Sequence, residues 1–160
     1  MQRRLLAVLL STLLLFGLLF GVAFAQDESN PIEVRIEAYI VSQVTAEDGS
    51  VTERFSESST ARPGQVVEYR VFATNTDETT LPAESVSVNG PIPDSSTYVP
   101  ESATPSSDEV RTEYSLDNEA FSEAPETTEG ETAYRAIRWT LLTPLEPQQE
   151  EQFVYRVTIN

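Results

Sequence analysis

The strongest constraint on the fold of this chain is a two-residue alternation of apolar and polar side chains. In the stretch "IEVRIEAYIV", Ile32, Val34, Ile36, Ala38 and Ile40 fall on one side of an extended backbone, and the residues between them are mostly charged. Successive side chains of a β-strand point to opposite faces of the sheet, whereas a helix repeats every ~3.6 residues. The alternation therefore predicts a half-buried strand over residues 32–40.

The same period recurs along the chain, and turn signals separate the alternating segments. "VVEYRVFATN", "AIRWTLL" and "QFVYRVTI" each place apolar residues on one face. No long segment after residue 25 shows a helical period, and short strands spaced by turns are typical of an antiparallel β-sandwich. We therefore predict an all-β sandwich of about seven to eight strands. Its expected core includes Val67, Tyr69, Val71, Ile137, Trp139, Leu141 and Val157.

The first expected hairpin turns at Asp48-Gly49. This dipeptide favours a two-residue type I′ turn, in which both central residues have a positive φ. The returning strand is expected to run from Val51 to Phe55.

The chain contains one tryptophan, Trp139. An exposed tryptophan on a sheet face would indicate sugar stacking or an interface anchor. Trp139 alternates with Ile137 and Leu141, however, so we expect it to be buried in the core.

The first 25 residues have the pattern of an export signal. Arg3 and Arg4 precede an almost wholly apolar run over residues 5–22, and Ala23-Phe24-Ala25 forms a small-x-small cleavage site. We expect cleavage between Ala25 and Gln26, which divides the chain into a signal peptide (1–25), a short N-terminal tail (26–31) and a single β-sandwich domain (32–160). The alternative is an uncleaved anchor, because the apolar run is long enough to span a bilayer.

The chain is strongly acidic, with 26 Asp and Glu residues and a formal net charge of −16. The first 25 residues contain two of the ten arginines and no acid, so cleavage would make the remaining domain still more acidic. Such a surface repels phosphate backbones and anionic lipid headgroups. We expect no nucleic-acid partner, and membrane contact only through the N-terminal segment if it is not cleaved.

The chain contains no histidine, cysteine or lysine. Ser-His and Cys-His pairs, Ser-Lys pairs and histidine metal sites all require one of these residues. A pair of carboxylates could still hydrolyse a glycoside, but so acidic a chain brings carboxylates together by chance. We therefore predict that the protein is not an enzyme and uses no cofactor.

The candidate metal for the acidic loops is calcium, because it takes clustered oxygen ligands. The best short candidate is Asp117-Asn118-Glu119, which follows the alternating stretch "EVRTEYSL". These residues lack the repeated spacing of a calcium-binding loop, so a solvated turn is the competing interpretation.

Several blocks, in order, resemble the bacterial conserved-repeat domain, known as domain of unknown function eleven. They are "ARPGQVVEYRVFATNT", "VSVNGPIPDSSTYVPESA", "YSLDNEAF" and "IRWTLLTPLEPQQEEQFVYRVTI". Gly90 stands where the family usually has Asp, Asn118-Glu119 where it has Gly-Gly, and Gln148 where it has Gly. The resemblance implies an immunoglobulin-like β-sandwich in an exported protein that is often part of a surface assembly, and it implies no catalytic residue.

We therefore expect an exported, non-catalytic structural or protein-interaction module of the bacterial cell envelope. It would be extracellular, periplasmic or attached to the envelope, with an envelope or surface protein as its partner. The alternative is a module that binds calcium or an envelope glycan.

Overall fold

The computed structural model describes residues 30–57, 60–123 and 134–160. Within these ranges the chain forms eight β-strands in two antiparallel sheets and contains no helix. The predictions of an all-β fold and of seven to eight strands are confirmed. The strands are β1 (Ile32–Thr45), β2 (Val51–Glu57), β3 (Val66–Asn75), β4 (Ser87–Pro91), β5 (Ser96–Tyr98), β6 (Val110–Ser115), β7 (Ala136–Leu141) and β8 (Glu150–Ile159).

The larger sheet has five strands in the order β2-β1-β3-β8-β5. Ile36 on β1 lies opposite Val71 on β3, and Val71 lies opposite Phe153 on β8. Directly opposed residues share a face of the sheet, so the alternating apolar residues of all three strands line one face. We call this the inner face, and the opposite side the outer face.

The smaller sheet has three strands in the order β4-β7-β6 and packs against the inner face. Its central strand, β7, buries Ile137, Trp139 and Leu141. The Trp139 ring stacks on Phe153 of β8, with ring centroids 5.2 Å apart and planes inclined by 11°. The core therefore forms where alternating residues of the two sheets meet.

The residues expected in the core lie mostly in this layer. Six of them are at most 4% exposed: Val67, Val71, Ile137, Trp139, Leu141 and Val157. Tyr69 is half-buried and stacks on the buried Tyr155, with ring centroids 5.1 Å apart.

At Gly90 the β4 backbone lies directly against two core rings. A Cβ atom at this position would lie 2.8 Å from a Trp139 ring atom and 2.8 Å from a Tyr155 ring atom. Neither aromatic side chain is free to move away, because both are fully buried. An Asp, the usual residue of the resembling family, does not fit here.

The prediction of a type I′ turn at Asp48-Gly49 is wrong. The N–H of Ala46 donates to the carbonyl of Ser50 at 2.8 Å, which leaves a loop of three residues between them. Gly49 has a φ of 83°, while Asp48 is not among the residues with positive φ. A loop of this length is typically a type I turn followed by one left-handed residue, so only Gly49 needs the positive φ.

Candidate interaction surface

The candidate calcium residues lie in the turn that follows β6. Oδ1 of Asp117 accepts the N–H of Glu119 at 2.8 Å and of Ala120 at 2.9 Å, and the hydroxyl of Ser115 at 3.1 Å. The backbone hydrogen bonds from Ala120 and Glu119 lower the pKa of the Asp117 carboxyl. Asn118 has a φ of 67°. Asp117 thus holds its own turn closed.

No three His, Cys, Asp or Glu side chains within residues 30–57, 60–123 and 134–160 are grouped so that they could hold a metal ion. Residues 124–133, which follow the Asp117 turn, lie outside the described part of the chain. The calcium site therefore stays a prediction, and the geometry of Asp117, Asn118 and Glu119 accounts for a turn.

The predicted signal peptide and its cleavage site, Ala25 and Gln26, also lie outside the described residues. Within the described ranges, no helix has the length and apolar character needed to cross a membrane.

Asn75, at the end of β3, is buried with its amide fully paired. Its Nδ2 donates to the carbonyls of Thr79 and Leu145, each at 2.9 Å. Its Oδ1 accepts the N–H of Asp77, also at 2.9 Å. Asn75 therefore joins two loops, and its full burial is explained by these contacts within the protein.

The outer face of the larger sheet carries a buried carboxylate that the sequence analysis missed. Glu68 is 4% exposed. It accepts hydrogen bonds from Nε of Arg70 at 2.8 Å and Nε of Arg156 at 3.0 Å. Arg156 also binds Glu53 through both terminal nitrogens, at 2.8 and 2.7 Å, and these bonds lower the pKa of Glu53. No local sequence signal identifies this burial, because Glu68 meets Arg156 only through the pairing of β3 with β8.

Aromatic rings on the outer face are each approached by an arginine. The guanidinium carbon of Arg35 lies 3.9 Å from the ring centroid of Phe72. That of Arg70 lies 4.4 Å from Tyr39 and 5.0 Å from Phe55. A stacked sugar needs a free ring face, and here the guanidinium groups already occupy ring faces. These contacts stabilise the sheet surface and do not favour the glycan alternative.

The inner face of β1 is different, because the smaller sheet does not extend over it. Val34 and Ile36 point to the same face as the buried Ala73 and Val71, yet they are 47% and 46% exposed. We call the segment Ile32–Ala38, with these two side chains, the open margin. On its inner face these two side chains form an apolar strip beside the partly buried Ile32 and Ala38.

Among the described residues, the backbone of the open margin is paired on one side only. Over the described residues β2 pairs with β1 from Tyr39 to Thr45, and no described strand lies beside Ile32–Ala38 on that side. A groove without charged side chains lies next to it, between Ile32 and Val34 of β1 and Ser85–Ser87 at the start of β4. A free strand edge beside an apolar groove is a typical place for an added strand to bind.

On the opposite side of the same sheet, β8 is covered along much of its length. β8 pairs with the short strand β5 and then with the segment that follows it. There the hydroxyl of Ser102 accepts the N–H of Arg156 at 2.9 Å, and the hydroxyl of Thr104 accepts the N–H of Val154 at 2.8 Å. The open margin is therefore a feature of one edge.

Comparison with known proteins finds no matching family model, no matching curated protein and no matching solved structure. The resemblance to the conserved-repeat domain stays a prediction, and inferences about function rest on the residues of this chain.

Proposed function

We propose that this protein is an exported, non-catalytic interaction module of the bacterial cell envelope, built as an immunoglobulin-like β-sandwich. The observation that carries the proposal is the open margin: Val34 and Ile36 are about half exposed beside a strand edge that no described strand pairs with. Exposed apolar surface next to unpaired backbone groups is costly in an isolated domain and is useful where another strand binds.

The fold assignment is supported by two backbone positions. Asn118 and Gln148 stand where the conserved-repeat family has glycine, and their φ angles are 67° and 62°. Glycine adopts such angles most readily, so the family pattern and this backbone agree at both turns.

The absence of catalysis is supported by composition. The sequence has no histidine, cysteine or lysine, which removes the common nucleophile and base pairs. Export is supported by the arginines, the apolar run and the Ala-Phe-Ala site at the start of the chain.

The test is site-specific photocrosslinking in intact producing cells. A photoreactive residue replaces Ile36 in the open margin or, as the control, Leu116, which is similarly exposed at 41% and lies after β6. We expect a discrete crosslinked product from position 36 and none from position 116. Equal products from both positions, or none from position 36, would contradict the proposal.

The same preparation tests the compartment. N-terminal sequencing of the recovered protein is expected to start at Gln26, and a chain that retains its first residues would instead support the anchor. Recovery only from the cytoplasm would contradict export.

A further inference from the structure

The direction of the free backbone groups in the open margin follows from one hydrogen bond. The N–H of Thr76 donates to the carbonyl of Pro31 at 2.8 Å, so Pro31 faces β3. Backbone direction alternates along an antiparallel strand, so the groups of Ile32, Val34 and Ile36 face away from β3. The N–H of Ile32 is held by its neighbour Asn30 at 3.1 Å. Val34 and Ile36 therefore present the groups that an added strand would pair with.

The outer-face side chains of this segment restrict which strand can pair there. Glu33, Arg35 and Glu37 alternate in sign along the edge. Opposite charges facing each other across two strands are stabilising, and like charges are destabilising. The segment therefore favours a partner strand that has a charge of the opposite sign at each facing position.

A second copy of the same segment meets this requirement in one antiparallel register. When Val34 faces Val34 of the second copy, Glu33 faces Arg35 of the second copy, and Arg35 faces its Glu33. Ile32 then faces Ile36 on the inner side, so the apolar strips of the two copies become continuous. Val34 and Ile36 enter these pairs with outward-pointing backbone groups, whereas the N–H of Ile32 has to leave Asn30 to take part.

The neighbouring registers are unfavourable. With Arg35 on the two-fold axis, Arg35 faces Arg35 and Glu33 faces Glu37, which places like charges together at every outer-face pair. With Ile36 on the axis, Glu33 of the second copy would lie beside Tyr39, and Glu57 of β2 already occupies that place. The register centred on Val34 ends before β2 begins.

We infer that two copies of this protein associate through the open margin, by antiparallel pairing of β1 with β1 centred on Val34. This deepens the proposed function by naming the surface and one partner. The two five-stranded sheets become one sheet across a two-fold axis. Only about nine residues of each copy take part, fewer than in a standard interface, so the dimer is weak.

The inference also predicts an unusual salt dependence. The full chain has a formal net charge of −16, cleavage after Ala25 would make each copy still more acidic, and the resulting long-range repulsion opposes association. Salt screens long-range repulsion more than it weakens the close pairing of backbone and apolar groups. Dimerisation is therefore expected to strengthen between low and physiological ionic strength.

The experiment is sedimentation equilibrium of the protein recovered from producing cells, over a range of concentrations and at two ionic strengths. Glu33→Arg places two arginines opposite each other at both ends of the pairing and is expected to weaken the dimer by roughly tenfold or more. Glu33→Arg combined with Arg35→Glu restores opposite charges and is expected to restore the dimer. Circular dichroism of each variant verifies that the fold is retained.

Glu47→Arg is the matched control, because it changes the net charge equally at an exposed hairpin position away from the open margin. It is expected to leave the dimer intact. A monomer at every concentration would overturn the inference, as would a dimer that Glu33→Arg leaves unchanged. Either result would leave the proposed interaction function to the crosslinking experiment, which detects any partner at position 36.

Amide hydrogen exchange supplies a second readout that needs no variant. The N–H groups of Val34 and Ile36 are expected to become protected as the protein concentration rises. Unchanged exchange at both residues while a dimer forms would place the interface elsewhere and overturn the inference.

Discussion

Ile36 and Val71 lie opposite each other on paired strands and point to the same face of one sheet, yet their environments differ. Val71 is fully buried, whereas Ile36 is 46% exposed. The difference arises from the smaller sheet, which covers the inner face over β3 and β8 but leaves the open margin of β1 uncovered. A two-residue alternation thus predicts which side chains share a face, and a second layer decides whether that face is buried.

The largest expected effect on the free energy of unfolding comes from the core between the two sheets. Trp139→Ala removes a fully buried indole that stacks on Phe153 and donates from Nε1 to the carbonyl of Thr104 at 3.2 Å. We expect a loss of about 3–5 kcal/mol in the free energy of unfolding, measured by urea denaturation. Leu116→Ala is the control, with an expected change within about 0.5 kcal/mol. Equal effects of the two variants would contradict the assignment of Trp139 to the core.

A smaller loss in the free energy of unfolding is expected when a methyl group is added to the same core. Gly90→Ala places its Cβ 2.8 Å from ring atoms of both Trp139 and Tyr155. Overpacking of this kind costs about 1–3 kcal/mol, which denaturation would show. Trp139→Phe opens space beside this atom, so the double variant is expected to lose less than the sum of the two single variants. Simple additivity would show that the contact does not limit the packing.

The buried Tyr155 should also make the protein less stable at alkaline pH. Burial raises the pKa of Tyr155, whose hydroxyl donates to the carbonyl of Pro91 at 2.6 Å. The phenol stays protonated in the folded protein, whereas the unfolded chain releases its proton above about pH 10. The contribution of Tyr155 to the free energy of unfolding is therefore fully present below about pH 10. Above that pH it falls by up to about 1.4 kcal/mol per pH unit.

Tyr155→Phe removes this titrating group and should flatten the dependence of unfolding free energy on pH above 10, although the variant is less stable at neutral pH. An unchanged slope in the variant would mean that other groups cause the alkaline loss.

The smallest effect is expected in the open margin. Ile36→Ala should change the unfolding free energy of the monomer by no more than about 0.5 kcal/mol, because the side chain is already half exposed. Val71→Ala, at the position directly opposite, is the matched comparison and should cost about 2 kcal/mol or more. A cost at Ile36 as large as at Val71 would mean that the open margin is covered in solution.

The alternating residues predicted the strands and their faces well, because strand periodicity is a local property. Ile137, Trp139 and Leu141 are all buried as expected. The turn type predicted for the hairpin at Asp48-Gly49 was wrong, because the dipeptide alone does not determine the loop length. Ala46 and Ser50 close the loop, and their pairing depends on the register of β1 and β2.

The candidate surface could not be predicted in the same way. The burial of Glu68 depends on Arg156, which is 88 residues away in sequence. The exposure of Val34 and Ile36 depends on how far a separate sheet extends. Both features result from contacts between distant segments, whereas the local pattern of β1 resembles that of the buried strand β3.

The hydroxyl groups of Ser102 and Thr104 have a consequence for the size that any assembly can reach. They occupy the N–H groups of Arg156 and Val154 along the far side of β8, and the last strand beyond them, β5, has only three residues. A sheet that can be extended at both sides propagates into fibrils, whereas one that can be extended at a single side stops growing after one addition. On the β8 side, the larger sheet therefore offers an added strand only the short edge of β5, which limits growth of an assembly in that direction.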